Sequence, residues 1–149
     1  MKGRRPFTTR PRRALIKGLS RAHRAVYRAS SGRIFGSLAG MPVLLLTTTG
    51  RRSGKRRTTP LTFLRDRADL VLIASNGGAD RPPDWWLNLQ RNPRAAVEIG
   101  KENLTLIART ASVEERERLW PVITATYSGY AKYQQKTKRQ IPVVLLTAD

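Results

Sequence analysis

From residue 43 onward, short apolar runs rich in β-branched residues recur with only a few polar residues between them, and this spacing constrains the fold more than any other feature. Val43-Leu44-Leu45-Leu46-Thr47-Thr48-Thr49 reads as a buried strand. A polar loop from Gly50 to Arg57 separates it from a second strand near Thr59–Arg65, and a turn at Asp66–Asp69 precedes a third, Leu70–Ser75. Parallel neighbours need crossovers of a dozen or more residues, so connections this short imply antiparallel hairpins. Ala95–Ile99 and Asn103–Thr110 form another hairpin about Gly100–Glu102, and Pro142–Leu146 is a closing strand. Two helices interrupt the strands. One, Pro83–Arg91, is started by Pro82-Pro83 and bounded by Pro93; the other opens with the capping box Ser112-Val113-Glu114-Glu115 and runs to about Thr126. Six mostly antiparallel strands with two inserted helices make a small α+β barrel.

Residues 41–149 therefore form one body, preceded by an arm, residues 1–40. Charge separates the two. The arm holds eleven Lys/Arg and no acid, whereas the body holds eighteen Lys/Arg and all ten acids. After a tail broken by Pro6 and Pro11, a helical period places Leu15, Ile16, Leu19, Ala22, His23, Val26 and Tyr27 on one side. Lys17, Arg21, Arg24 and Arg28 form a basic stripe opposite. Such a helix either docks on its own barrel or lies on an anionic membrane surface. With arm and body both strongly positive, long-range electrostatics favour the membrane, so peripheral association through residues 10–30 is the expectation. No apolar run approaches the length of a bilayer span. Arg12-Arg13 lacks the apolar region of an export signal, which reads as a cytoplasmic protein.

Composition narrows the chemistry. The chain has no Cys and a single histidine, His23, in the arm. That excludes a Cys nucleophile and a thiolate metal site, and leaves the body without the commonest general base. No metal ligands are assigned. A bound organic cofactor or a pure binding role is left.

Four segments could carry such a role. Thr49-Gly50-Arg51-Arg52-Ser53-Gly54-Lys55-Arg56-Arg57-Thr58 brackets five cations and three hydroxyls between strands. It reads either as a solvated basic hairpin or as a site where backbone N–H groups and guanidiniums converge on an anion. Ala74-Ser75-Asn76-Gly77-Gly78 is a turn whose small residues would let a ligand approach the backbone. Trp85 and Trp86 on one helix point about 100° apart, so one can enter the core while the other walls a ligand. Tyr127, Tyr130 and Tyr133 recur every third residue close to a helix end, which fits packing or a pocket lined with phenols.

Together these segments resemble the deazaflavin-dependent nitroreductase family, FMN-binding-like split β-barrel proteins that bind coenzyme F420. The resemblance runs from about Gly40 to Leu146. It rests on Leu46-Thr47-Thr48-Thr49-Gly50-Arg51-Arg52-Ser53-Gly54, Arg57-Thr58-Thr59-Pro60-Leu61, Ala-Ser-Asn-Gly-Gly at 74–78, Trp85…Asn88-Leu89…Asn92-Pro93 and the three tyrosines, in the family's order. It implies that Arg51, Arg52, Ser53, Gly54 and Arg57 grip the cofactor's phosphodiester and acidic tail, and that Thr58, Thr59 and Pro60 flank its ring. Ser75, Asn76, Gly77 and Gly78 would sit against the deazaflavin, with Ser75 also among the catalytic residues, and Trp85 would wall the site. Tyr127, Tyr130 and Tyr133 would shape the acceptor pocket and protonate or orient the acceptor.

The expected activity is hydride transfer from reduced F420 to an electron-poor small molecule: a quinone, an enone or a nitro compound. FMN is the alternative cofactor, and a non-catalytic nucleic-acid-binding protein the alternative class. No nucleic-acid-binding signature accompanies the basic charge, so no specific nucleic acid is expected. A homodimer is.

Overall fold

Burial with a period of two along the strands sets the architecture. The computed structural model describes residues 21–22, 24–28, 37–38 and 40–149. The basic tail, His23 and the apolar positions Leu15, Ile16 and Leu19 lie outside them. The described residues form eight strands: β1 (Ser37–Leu38), β2 (Met41–Thr49), β3 (Arg56–Thr62), β4 (Leu64–Asp66), β5 (Asp69–Ile73), β6 (Arg94–Ile99), β7 (Glu102–Thr110) and β8 (Val143–Ala148). Three helices follow the turn at Asn76–Gly78: α1 (Asp84–Arg91), α2 (Val113–Thr126) and α3 (Gly129–Lys136).

The sheet order is β1-β2-β6-β7-β8-β5-β4, with β3 on the other side of β2, and every pairing is antiparallel. Phe63 alone separates β3 from β4, its N–H donating to the Pro42 carbonyl at 3.0 Å. One run of chain thus pairs first with β2 and then with β5, which joins the two ends of the sheet and closes the ring. The fold is a split β-barrel.

Alternate residues face opposite cores. Leu44 and Leu46 of β2, Leu70 and Leu72 of β5, Val97 of β6 and Val144 and Leu146 of β8 share one apolar core with Phe63, and α1 packs Trp85 and Leu89 into it. Their neighbours Val71, Ile73, Val143 and Leu145 form a second core with Leu119 and Ile123 of α2 and Tyr130 of α3. Val43 and Leu45 are covered by Tyr27. Because helices cover the outer faces, β2 and β8 read as unbroken apolar runs, without polar alternation.

Three expectations are corrected. Among the described residues the strands number eight, not about six, because the second strand is divided at Phe63 and because two-residue β1 is too short for a sequence pattern to register. The body carries three helices, not two: Tyr127 caps α2, and Tyr130 and Tyr133 lie on the separate α3. The start of α2 is as expected, with Ser112 Oγ accepting from the Glu115 N–H and the Glu115 carboxylate accepting from the Ser112 N–H. Arg109 forks onto the same carboxylate and, with the Ser112 N–H, holds its pKa down at about 2.

The third correction concerns the arm. Residues 21–22 and 24–28 are helical, and their C-terminal turn docks on the barrel. Tyr27 is 1% exposed; its hydroxyl donates to the Val43 carbonyl at 3.1 Å and accepts from the Gly100 N–H at 2.9 Å. Arg28 forks onto Glu98 at 2.9 and 3.2 Å. Net charge misjudged this contact because repulsion between exposed charges is screened beyond about 8–10 Å. Burial of one aromatic ring and a local ion pair act within that distance, and they decide the outcome.

Candidate functional site

The β2–β3 hairpin is held by its own backbone. The Gly50 N–H donates to the Lys55 carbonyl at 2.7 Å, and the Gly54 N–H returns to the Gly50 carbonyl at 2.8 Å. Gly54 sits at φ +69°, a conformation that a side chain would strain. Ser53 Oγ accepts from the Lys55 N–H at 3.2 Å. Below the loop, the Thr47 and Thr58 hydroxyls bond at 2.8 Å across β2 and β3.

α1 fixes the orientation of the loop's first arginine. Asn88 is 4% exposed, and its Oδ1 accepts both from the Arg51 N–H at 3.1 Å and from Arg51 Nη1 at 3.0 Å. The Asn88 amide donates to Thr48 Oγ1 at 3.1 Å, so a single side chain ties α1 to β2 and to the hairpin. Asp84, at the start of α1, accepts from Arg81 Nη2 at 2.8 Å and Arg51 Nη2 at 3.2 Å. Those two guanidiniums, Arg81 foremost, hold its carboxyl below the usual carboxylate range.

These elements enclose a cleft of about 700 Å³. Arg51, Arg52, Ser53, Arg57, Thr58 and Thr59 line it from the hairpin, Trp85, Asp84 and Asn88 from α1, Arg81 from the loop before α1, and Arg21 and Arg24 from the amino-terminal helix. With Arg56, seven arginines face one carboxylate, that of Asp84, among the described residues. A smaller cavity of about 360 Å³ is lined by Arg28, Thr47, Thr58, Glu98 and Asn103. Of its two arginines, Arg28 is already paired with Glu98 and Arg56 is shared with the larger cleft. The larger cleft is therefore the stronger anion site.

A second group lies at the turn after β5. Asn76, Gly77 and Gly78 take φ of 47°, 64° and 83°. A Cβ on Gly78 would fall 2.7 Å from the Tyr133 carbonyl oxygen, so glycine is what lets the turn and α3 touch. Arg139 holds the turn through its carbonyls: its guanidinium donates to Ala74 at 3.3 Å, to Ser75 at 2.9 Å and to Ala79 at 2.9 Å. Asn76 Nδ2 donates to the Arg81 carbonyl at 2.8 Å, linking the turn to the segment that borders the cleft. The three tyrosine rings meet edge to face, with centroids 5.2–6.2 Å apart. The Tyr130 hydroxyl bonds Thr62 Oγ1 at 2.8 Å, and the Tyr127 and Tyr133 hydroxyls bond each other at 3.3 Å. Burial pushes the Tyr130 phenol above its ordinary pKa, and the bond with Tyr127 does the same for Tyr133.

Of the site residues expected from sequence, Arg51, Arg52, Ser53, Arg57, Thr58, Thr59 and Trp85 thus come together in the cleft. Gly54 shapes the loop behind it, and Pro60 lies one residue further along β3. Ser75, Asn76, Gly77, Gly78 and the tyrosines form the neighbouring group instead of lining the cleft. Of the tryptophans, Trp85 does both things asked of the pair, being buried in the core and bordering the cleft; Trp86 packs against the same core. Sequence reasoning missed Arg21, Arg24, Arg81, Asp84 and Asn88 in the cleft, and Arg139 behind the turn. For Asn88 a signal existed. It sits three residues after Trp85 and one before Leu89, a polar residue on the apolar stripe of a short helix.

The fold and site have relatives. Residues 19–148 match the family model described as F420H(2)-dependent quinone reductase. An F420H(2)-dependent quinone reductase of Mycobacterium tuberculosis is 38% identical over 133 residues, covering 87% of this chain and 89% of that protein. Among solved structures, an F420-H2 dependent reductase (FDR-A) superposes with a TM-score of 0.64 at 40% identity, covering 70% of this chain and 93% of that one. A chain described as a domain-swapped dimer gives a TM-score of 0.65 at 36% identity, over 83% of this chain and 98% of that one.

Proposed function

The chain belongs to the F420H(2)-dependent quinone reductase family, and we propose that its basic cleft holds the phosphodiester and acidic tail of coenzyme F420. It is an oxidoreductase, and F420 is the cofactor that its family implies. The observation carrying the site assignment is the convergence of the hairpin arginines, Arg81 and α1 on one cleft. The donor set suits the ligand, since planar guanidiniums fork onto phosphate and carboxylate oxygens. The volume lies within the range of about 300–1,000 Å³ usual for small-ligand pockets.

Reduced deazaflavin supplies the hydride when bound, so the chain needs no nucleophile of its own. Arg51, fixed by Asn88, and Arg57 orient the phosphodiester. Thr58, Thr59 and Pro60 flank the ring, and the turn at 75–78 lies against it. Tyr127, Tyr130 and Tyr133 frame the acceptor. Reduction of a quinone carbonyl requires a proton as well as a hydride; a phenol is protonated at neutral pH and, with burial holding the Tyr130 proton more tightly still, releases it only as negative charge develops on the acceptor oxygen. Tyr130, bonded to Thr62, and Tyr133, bonded to Tyr127, are the candidate donors.

The kinetic test uses Tyr130→Phe and Tyr133→Phe, which keep the ring and remove the hydroxyl. Mixed anaerobically with reduced F420 and a quinone, at least one variant turns over about 10²–10⁴-fold more slowly than wild type. Cofactor affinity is unchanged in both. Wild-type turnover in both, with several acceptors, would reduce the tyrosines to packing.

Two outer features complete the reading. Among the described residues no helix is long and apolar enough to cross a membrane. With Tyr27 buried on the barrel, contact between an anionic membrane surface and the 10–30 region falls to the basic residues before 21, suited to a lipid-soluble quinone. Sedimentation with anionic vesicles at physiological salt, lost on deletion of residues 1–20, is the check. The homodimer is checked by light scattering.

A further inference from the structure

We infer that the amino-terminal helix is part of the binding site, with Arg21 and Arg24 forming a cationic rim that holds the far carboxylates of the cofactor's acidic tail. This rests on the F420 reading above and adds a role for the arm.

Three observations carry it. First, Arg24 reaches the cleft directly: its Nη1 donates to the carbonyl of Thr58 at 2.9 Å, and Thr58 lines the cleft. Arg21 stands three residues earlier, on the same helix face, and also lines it. Second, the helix is pinned. Tyr27 is buried against Val43 and Leu45 and bonded to the Gly100 N–H, and Arg28 is paired with Glu98. The basic stripe is thereby divided, with Arg28 spent on the barrel and Arg21 and Arg24 turned to the cleft. Third, the charge is unbalanced. Seven arginines face one carboxylate, and Asp84 is already shared by Arg51 and Arg81. Gathering like charges is unfavourable unless an anion offsets them. A phosphodiester carries one negative charge, and two fixed guanidiniums suffice for it. The remaining cations suit a chain of carboxylates leaving the hairpin toward the helix.

The test titrates the full chain with F420 bearing no glutamate, a short glutamate chain and a long one, read by cofactor fluorescence. Wild type binds more tightly as the tail lengthens, by roughly three- to tenfold, as suits a few exposed ion pairs. In Arg21→Ala/Arg24→Ala that rise disappears while affinity for the tail-less form is retained. Arg21→Ala alone, at an exposed position that leaves Arg24 and the Tyr27 anchor intact, loses part of the rise. Tyr27→Phe, which removes the bond to Gly100, flattens it as well. A double variant that keeps the rise, or that loses the same factor with every form, overturns the inference. So does a wild type that binds F420 without regard to tail length. A wild type that binds no form of F420 overturns the cofactor reading itself.

Discussion

Asn88→Ala weakens F420 binding by about ten- to a hundredfold, the equivalent of ~1.5–3 kcal/mol for bonds to a charged group. Asn88 lies behind the arginine that is to meet the cofactor. Its Oδ1 is the acceptor that holds both the backbone N–H and the guanidinium of Arg51, and its amide is anchored on Thr48. Without it Arg51 must be ordered at the moment of binding, and that ordering is subtracted from affinity. The alanine variant also loses stability, because a buried amide is replaced by a gap and the Thr48 hydroxyl is left without its donor. Asn88→Asp separates the two effects. It keeps the shape and the acceptor for Arg51, and the Thr48 hydroxyl can turn to donate to the new carboxylate, so the fold holds, but it adds a negative charge behind the anion site. Affinity for F420 falls in this variant too, with the melting temperature at or near wild type. An aspartate variant that binds F420 as wild type does would remove Arg51 from the anion site.

Arg139→Ala lowers the free energy of unfolding by about 1–3 kcal/mol, chiefly because the buried Ala74 carbonyl loses its charged donor, whereas the Ser75 carbonyl keeps the Gly78 N–H at 2.9 Å. The midpoint of urea unfolding shifts with no change in slope, as expected when stability changes and exposed surface does not. Arg139→Lys recovers only part, because a single ammonium cannot fork to Ala74, Ser75 and Ala79 at once. A midpoint within error of wild type for the alanine variant would mean that water serves those carbonyls equally well. Arg139 therefore sets the turn at 75–78 from behind, and its loss is expected in the reaction as well as in stability.

Local sequence patterns carried most of the barrel. The hairpins follow from short connections, α1 from Pro83 and Pro93, and the start of α2 from Ser112 and Glu115. What was missed lacks a local pattern. Phe63 interrupts a strand through a hydrogen bond to Pro42, twenty-one residues earlier, and nothing near Phe63 announces it. The end of α2 at Thr126 is as expected, but the helix after it, Gly129–Lys136, is short, starts on a glycine and has no side-chain cap, so nothing local announces it.

The site divides in the same way. Arg51, Arg52, Ser53 and Arg57 were legible because glycines, cations and hydroxyls are contiguous in one loop. Asp84 and Asn88 meet Arg51 across 33 and 37 residues, and Arg139 meets the turn across 60 and more, distances at which one sequence carries no pairing signal. The arm was misjudged for a different reason. Its charge was summed over the whole segment, whereas Tyr27, Arg28 and Arg24 each meet a particular group on the barrel. Burial and hydrogen bonding at those three positions outweighed a net repulsion that salt largely screens.

The most direct measurement is a fluorescence titration of the purified full chain with F420 and, separately, with FMN, repeated for Arg51→Ala and Arg57→Ala. Saturable binding of F420, tighter than that of FMN and weakened by roughly 1.5–3 kcal/mol in each variant, is the predicted result. Tighter binding of FMN, or an F420 affinity unchanged in both variants with the fold intact, would contradict the assignment of this cleft to the deazaflavin cofactor.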